Sequence, residues 1–202
     1  MREIFRKGGP VMWPLLLTSL VSLSVVIERI IFVVREHRRR RPDVVEQVLT
    51  DVETGDVKAA LRIGEECRDF VARTLVYGLR HREQSFSSTL LRAANQELKR
   101  FNRGLPVLDT IITLAPLLGL FGTVTGMIRA FGLLGGREIK APTVITVGIA
   151  ETLIATAFGL CIAIISLIPF NYLNARLEDA RHELEDAATH LELSLKKPTG
   201  TP

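Results

Sequence analysis

The stretch LPVLDTIITLAPLLGLFGTVTGMIRAF, residues Leu105–Phe131, holds no charge between Asp109 and Arg129. A run of this kind is read as a membrane span, because about 20 apolar residues rising about 1.5 Å each cross a hydrocarbon core. Read outward, this span covers about Leu105 to Leu134. The short loop Gly135–Pro142 follows, and then a further apolar run from about Thr143 to Tyr172, so the two spans form a hairpin. An earlier apolar run begins near Val11, with Gly8 to Ile27 uncharged and Trp13 near its end, where an indole suits the interface. Pro10 and Pro14 fall in its first turns, where a missing N–H costs little. Glu28-Arg29 and then Ile30–Val34 predict a helix that continues past the bilayer. The Glu28–Arg29 pair reads as a local ion pair at headgroup depth, with Glu28 facing a partner as the other reading.

The 202 residues are 47% hydrophobic and 24% charged, and the two classes are segregated along the chain. The fold expected is all-α: an integral membrane protein with three transmembrane helices extended by cytoplasmic helices. Its divisions are 1–34 (periplasmic tail and first span), 35–104 (cytoplasmic helical region), 105–173 (the hairpin) and 174–202 (cytoplasmic C-terminal helix and tail). Orientation follows from Arg35, Arg38, Arg39, Arg40 and Arg41 just after the first span, with Lys99, Arg100 and Arg103 on the same side. Arg2, Arg6 and Lys7 weakly oppose it. A nucleic-acid patch is the competing reading of the arginine run, and its position against an apolar segment favours a topogenic signal. The first span lacks a small-residue cleavage pattern and is read as a retained signal anchor.

Between the spans, apolar spacing predicts a helix from Asp43 to Leu49, a break at Thr54-Gly55-Asp56 with Asp56 as cap, and helices over Val57–Glu66, Val71–Arg82 and Leu90–Arg103. Leu173, Leu177, Leu184, Leu191 and Leu195 recur among Glu and Arg, so the third span is expected to run on as a helix. Cys67 and Cys161 have no CxxC or Cys/His spacing, which leaves neither a disulfide framework nor a metal site to predict. Cys161 is read as a small packing residue.

Small residues share one face of each hairpin helix. Gly148, Thr152, Thr156, Gly159, Ala163 and Ser166 follow one another at spacings of three or four, as do Ala115, Gly119, Gly122, Gly126 and Ala130. Such faces let membrane helices approach closely. The glycine-rich Gly119–Gly126 is not a phosphate loop, since no Lys follows and the segment lies in a span. Glu151 sits well inside the third span, where a carboxylate costs about 3 kcal/mol on insertion scales and by default marks an ion path. A structural, protonated or hydrogen-bonded Glu is the other reading. Counted from Asp109 and Tyr172, Thr123 and Thr156 lie about 21 and 24 Å inward, so the two hydroxyls are expected at one level. They could relay protons or hold water, or merely bond the carbonyl one turn back.

Three stretches resemble the MotA/TolQ/ExbB proton channel family on its ExbB/TolQ branch: Leu105–Phe131, GIAETLIATAFGLCIAIISLIPFN at Gly148–Asn171, and a weaker echo at Gly55–Leu79. The Gly-Thr-Val-x-Gly and Glu-x-Leu-x-x-Thr-Ala-x-Gly motifs are specific in combination. The resemblance implies a proton-driven complex of the inner membrane with a periplasmic N-terminus and a cytoplasmic C-terminus. It implies a homopentameric ring in the lipid bilayer around two copies of an ExbD/TolR-like single-span partner whose Asp takes up and releases protons. The resulting motion would serve outer-membrane transport or envelope maintenance, through a TonB/TolA-like transducer. Position by position, the channel threonines fall on Thr123 and Thr156 and the membrane glutamate on Glu151. Thr152 receives no role, and Asp109 maps to no functional position. The single apolar segment before the cytoplasmic region departs from the four-span stators. No cofactor or nucleic acid is expected, and no nucleophile–base pair or metal cluster suggests an enzyme. A structural membrane scaffold without ion flux is the alternative, and a small-solute transporter is disfavoured because three spans show no inverted repeat.

Overall fold

A computed structural model describes residues 9–132 and 142–196, with the side chains at 82–85, 142–148, 151 and 196 outside the description. The basic residues Arg2, Arg6 and Lys7, residues 135–141 of the expected loop 135–142 and the surroundings of Gly148 and Glu151 therefore lie outside the described residues, and Pro142 opens a helix. The described residues are helical throughout, without a strand: α1 (Met12–His37), α2 (Pro42–Glu53), α3 (Val57–Glu66), α4 (Phe70–Arg80), α5 (Arg82–Asn102), α6 (Leu105–Gly132) and α7 (Pro142–Lys196). Stretches of α1, α6 and α7 are long and apolar enough to cross a membrane, so this is a multi-pass membrane protein. The chain divides into two compact units, Met1–Arg29 with Gly104–Tyr172, and Ile30–Arg103 with Leu173–Pro202.

The first unit is built from the apolar parts of α1, α6 and α7. Gly9, with φ of 72°, turns the chain into α1, and the N–H groups of Met12 and Trp13 bond the carbonyls of Gly9 and Pro10 at 3.2 and 3.3 Å. Val11, Met12 and Leu15 are buried, with Leu118 and Ile162 packed on them. Ser22 and Ser166, both buried, share a 2.6 Å hydroxyl–hydroxyl hydrogen bond that ties α1 to α7. Arg29 is buried and its Nε donates to Glu28 at 2.9 Å, the local ion pair of the first reading. Gly104 opens α6 with φ of 85°, and a Cβ there would also meet Val25 at 3.0 Å and Arg29 at 3.2 Å, so only glycine fits. Cys161 is exposed rather than packed. It lies two residues from both Gly159 and Ala163, which turns it about 200° around the helix from that face.

The second unit packs α2–α5 with Ile30–His37 of α1 and the distal part of α7. Asp56 caps α3, accepting from the Ala59 N–H at 3.0 Å, after the turn at Gly55 with φ of 87°. α5 starts at Arg82, earlier than the apolar pattern indicates, because Gln84, Ser87 and Ser88 carry no apolar periodicity. Leu173, Leu177, Ala180, Leu184, Ala187, Leu191 and Ser194 are all buried at spacings of three and four, a heptad seam along distal α7. Asp69 is fully buried. It caps α4 by accepting from Val71 N–H at 2.8 Å, accepts from Arg41 N–H at 2.7 Å, and pairs with the guanidinium of Arg40. Arg40 also reaches Glu183 at 2.6 Å and stacks 4.8 Å over the Phe70 ring. Buried Glu36 faces Arg73 at 3.6 Å and Arg100 at 4.0 Å, and Glu97 holds the same two arginines at 2.9 and 2.5 Å.

Candidate functional site

The small-residue faces of α6 and α7 meet in an antiparallel seam. Ala115, Gly119, Gly122, Gly126 and Ala130 are buried on α6, as are Thr152, Ala155, Ala163 and Ser166 on α7. The approach is at backbone distance. A Cβ on Gly159 would stand 2.5 Å from the Ala115 carbonyl oxygen, and one on Gly119 3.0 Å from Thr156 Cα. At Gly122 it would meet Ala155 Cβ at 2.8 Å and Val11 of α1 at 3.5 Å. These glycines are thus sites where no side chain has room.

Thr156 sits in this seam, partly buried. Its hydroxyl donates across to the Gly119 carbonyl at 3.1 Å and along its own helix to the Thr152 carbonyl at 3.3 Å. Thr123 lies at the rim of the seam, also partly buried, and donates to the Leu120 carbonyl at 2.6 Å. Contacts of residue 119 with 156 and of 115 with 159 set the register. In that register Thr156 is level with Gly119, one turn from Thr123, an offset of about 6 Å. The residue level with Thr123 is Thr152, which is buried and bonds the Ile149 carbonyl at 2.7 Å. The two hydroxyls are therefore staggered rather than coplanar, because the helices overhang one another at their ends and counting inward from those ends assumes they do not.

At 100° per residue, Asp109, Thr113, Leu120, Thr123 and Met127 share one face of α6. Asp109, Thr113, Leu120 and Met127 are exposed there. The inner end of this face is polar, with the Thr113 hydroxyl bonded to the Thr110 carbonyl at 2.9 Å. Pro116 lies within α6 and Pro169 within α7, so the carbonyls of Ile112 and Ile165 lack the N–H that would normally meet them. The backbone of Glu151 belongs to α7, and its side chain is outside the described residues. No group of three His, Cys, Asp or Glu among the described residues could hold a metal ion.

The sequence reading missed the Ser22–Ser166 clasp, although a serine in an apolar run is a signal for such a bond. It gave no role to Asp69 or Glu36 and read Arg40 only as one of the topogenic arginines. Asp69 was the legible one, since an Asp just before the apolar run Phe70–Val71 has the form of an N-cap.

Comparison with known proteins adds the following. The profile of the MotA/TolQ/ExbB proton channel family matches residues 65–186. A protein of Synechocystis sp. described as a biopolymer transport protein, ExbB-like 1, is 42% identical over 176 residues, covering 84% of this chain and 68% of its own. The biopolymer transport protein ExbB of Neisseria meningitidis is 26% identical over 213 residues, covering 96% of both chains. The Tol-Pal system protein TolQ of Haemophilus influenzae is 40% identical over 85 residues, covering 42% of this chain and 37% of its own.

Proposed function

Because this chain belongs to the MotA/TolQ/ExbB proton channel family, on its ExbB/TolQ branch, we propose that it is the ring-forming subunit of an inner-membrane motor. In this reading the motor couples the proton gradient to outer-membrane transport or envelope maintenance. The reading includes a pentamer of this chain, an ExbD/TolR-like single-span partner inside it, and a TonB/TolA-like transducer. The N-terminus faces the periplasm, and residues 35–104 and 174–202 face the cytoplasm. The observation that carries it is the α6–α7 seam, with the Thr123 hydroxyl at its rim and the Thr156 hydroxyl within it, both partly buried in largely apolar spans.

The hydrogen bonds refine how such hydroxyls would serve a partner's carboxyl group. Each donates its own proton to a backbone carbonyl and keeps its oxygen lone pairs free. A protonated Asp can therefore donate to Thr123 or Thr156 without disturbing either helix. A charged Asp needs a donor, so the threonine must first release its carbonyl, at a net cost of about 1 kcal/mol. The stagger of about 6 Å between the two makes them successive stations along the membrane normal. Asp109 and Thr113, on the Thr123 face, mark the inner mouth of that track. Glu151 shapes the field in the pore or the contact between subunits, and Gly119, Gly122, Gly126, Gly148 and Gly159 hold the helices close.

The test is Thr123→Val with Thr156→Val, purified with the partner and reconstituted in liposomes under a pH gradient. Gradient-driven proton uptake should fall at least about tenfold while the complex still assembles, and Thr156→Ser with native Thr123 should restore it. Undiminished flux in the double variant would exclude the stations. A scaffold without flux is the second reading, favoured by the carbonyl bonds that already occupy both hydroxyl protons. It requires that the wild-type complex pass no protons in the same assay.

A further inference from the structure

Asp109 is exposed on α6, and among the described residues its carboxyl group has no hydrogen-bond or ion-pair partner. Only its backbone carbonyl is engaged, by the Thr113 hydroxyl at 3.2 Å. Packing within the first unit fixes its depth from two sides. A Cβ on Gly104 would meet Val25 at 3.0 Å and Arg29 at 3.2 Å, and one on Gly122 would meet Val11 at 3.5 Å. α1 and α6 are therefore antiparallel, and Asp109 falls level with about Ser22. On α7, the contacts of Gly119 with Thr156 and of Gly159 with Ala115 carry the register on to Ser166. The two registers agree, because Ser22 and Ser166 bond each other at 2.6 Å.

Asp109 thus stands about 10 Å inward of Arg29. Its level is uncharged on both neighbours: α1 carries no charge from Gly8 to Ile27, and α7 none between Glu151 and Arg176. A carboxyl group at such depth is costly against lipid and by default faces a water-filled or protein-lined space. The face it stands on also holds Thr113 and Thr123. The neighbouring exposed flank, Val107, Leu114, Phe121 and Ile128, is wholly apolar. The polar flank is therefore the one turned away from lipid.

We propose that Asp109 is the proton acceptor at the inner end of the track, through which protons leave the Thr123 station for the cytoplasm. The inference rests on the motor reading and names the group that serves its exit. As the partner's Asp leaves Thr123, its O–H bond breaks. The proton passes over water, past the Thr113 hydroxyl, and forms an O–H bond on the Asp109 carboxylate. Asp109 then yields it to water or buffer and is a carboxylate again, so one proton moves and no other bond changes. A basic side chain of the partner is the competing occupant. The proton is favoured because it is the cation that the motor itself delivers to this depth.

The experiment measures proton uptake by the full complex in liposomes, with Asp109→Asn and Asp109→Glu. Asp109→Asn should slow the flux about tenfold, a modest part of what a positioned acid–base group contributes, and Asp109→Glu should retain most of it. A concentrated, membrane-impermeant buffer on the side that receives protons should restore Asp109→Asn, because the buffer takes the proton directly. In a Cys67→Ser, Cys161→Ser background, Thr113→Cys should react with a charged, water-soluble maleimide faster than Leu114→Cys at nearly the same depth. Undiminished flux in Asp109→Asn beside a conducting wild type would overturn the role of Asp109 and leave the motor reading standing. A wild type without flux would remove both. A loss that buffer does not restore would also overturn the proposal, and departure of the partner from the purified complex would then assign Asp109 to an ion pair with a basic side chain. Equal labelling at 113 and 114 would overturn the water-facing placement.

Discussion

At the scale of single residues, the seam between α6 and α7 turns on atoms that are missing. A methyl group on Gly159 would stand 2.5 Å from a carbonyl oxygen, and that oxygen belongs to the Ala115 backbone, which cannot swing away. Gly159→Ala should therefore cost about 1–3 kcal/mol of overpacking, read as a lower thermal midpoint in detergent. Gly132, whose Cβ would meet nothing within 4 Å, is the matched control and should show no loss as Ala. Charge gives a second prediction. Burial holds the Glu183 carboxyl above its ordinary value of 4.5, with Asp69 and Asp179 adding to the effect and Arg40 and His37 opposing it. A carboxyl with a raised value binds its proton more tightly folded than unfolded. Its contribution is present at acid pH and is lost as pH rises through the folded value. Glu183→Gln should raise the thermal midpoint at pH 7, and the gain should vanish near pH 4. The shift should not exceed about 2 °C, because nearly half of this side chain is in water and screened. A larger gain at pH 4 than at pH 7 would reverse the sign argument. Arg40 was not legible beforehand. A run of five arginines reads as uniformly solvated, and only the packed structure singles out Arg40 as the one turned inward.

At the scale of elements, the sequence was legible wherever burial follows a period. The small-residue faces of α6 and α7, the α3 bounds at Val57 and Glu66 and the cap at Asp56 all follow from spacing or from one polar side chain. What did not follow was register. The depth of Thr123 and Thr156 was counted from helix ends, whereas the contacts at Gly119 and Gly159 fix it, and the two disagree by about 9 Å. The start of α5 was missed for a different reason: its first turns hold few apolar residues to repeat. The distal seam of α7 yields a prediction at this scale. Leu184 and Leu191 are almost wholly buried, and truncating either to Ala should cost about 2–5 kcal/mol. The loss belongs to the second unit alone. Limited proteolysis should then cut the chain after Tyr172 while the membrane-embedded fragments remain intact. Unchanged protease resistance would mean that the leucine seam is not what holds distal α7.

At the scale of the whole molecule, the three spanning helices keep large apolar surfaces uncovered, among them Leu117, Leu120, Phe121 and Ile128 on α6 and Leu153, Ile164 and Ile168 on α7. Lipid or further copies of the chain must cover these faces, since water cannot do so cheaply. Segregation of charge from apolar residues made the three-span layout readable. The covering of each face was not readable, because lipid and a neighbouring helix present the same apolar chemistry. Pro116 and Pro169 add a consequence of their own. Each leaves one peptide oxygen, at Ile112 and at Ile165, short of its usual amide. In a medium without other donors, a stray water molecule gains most at those two points. Hydration of the transmembrane hairpin is thereby seeded at addresses written into the primary structure.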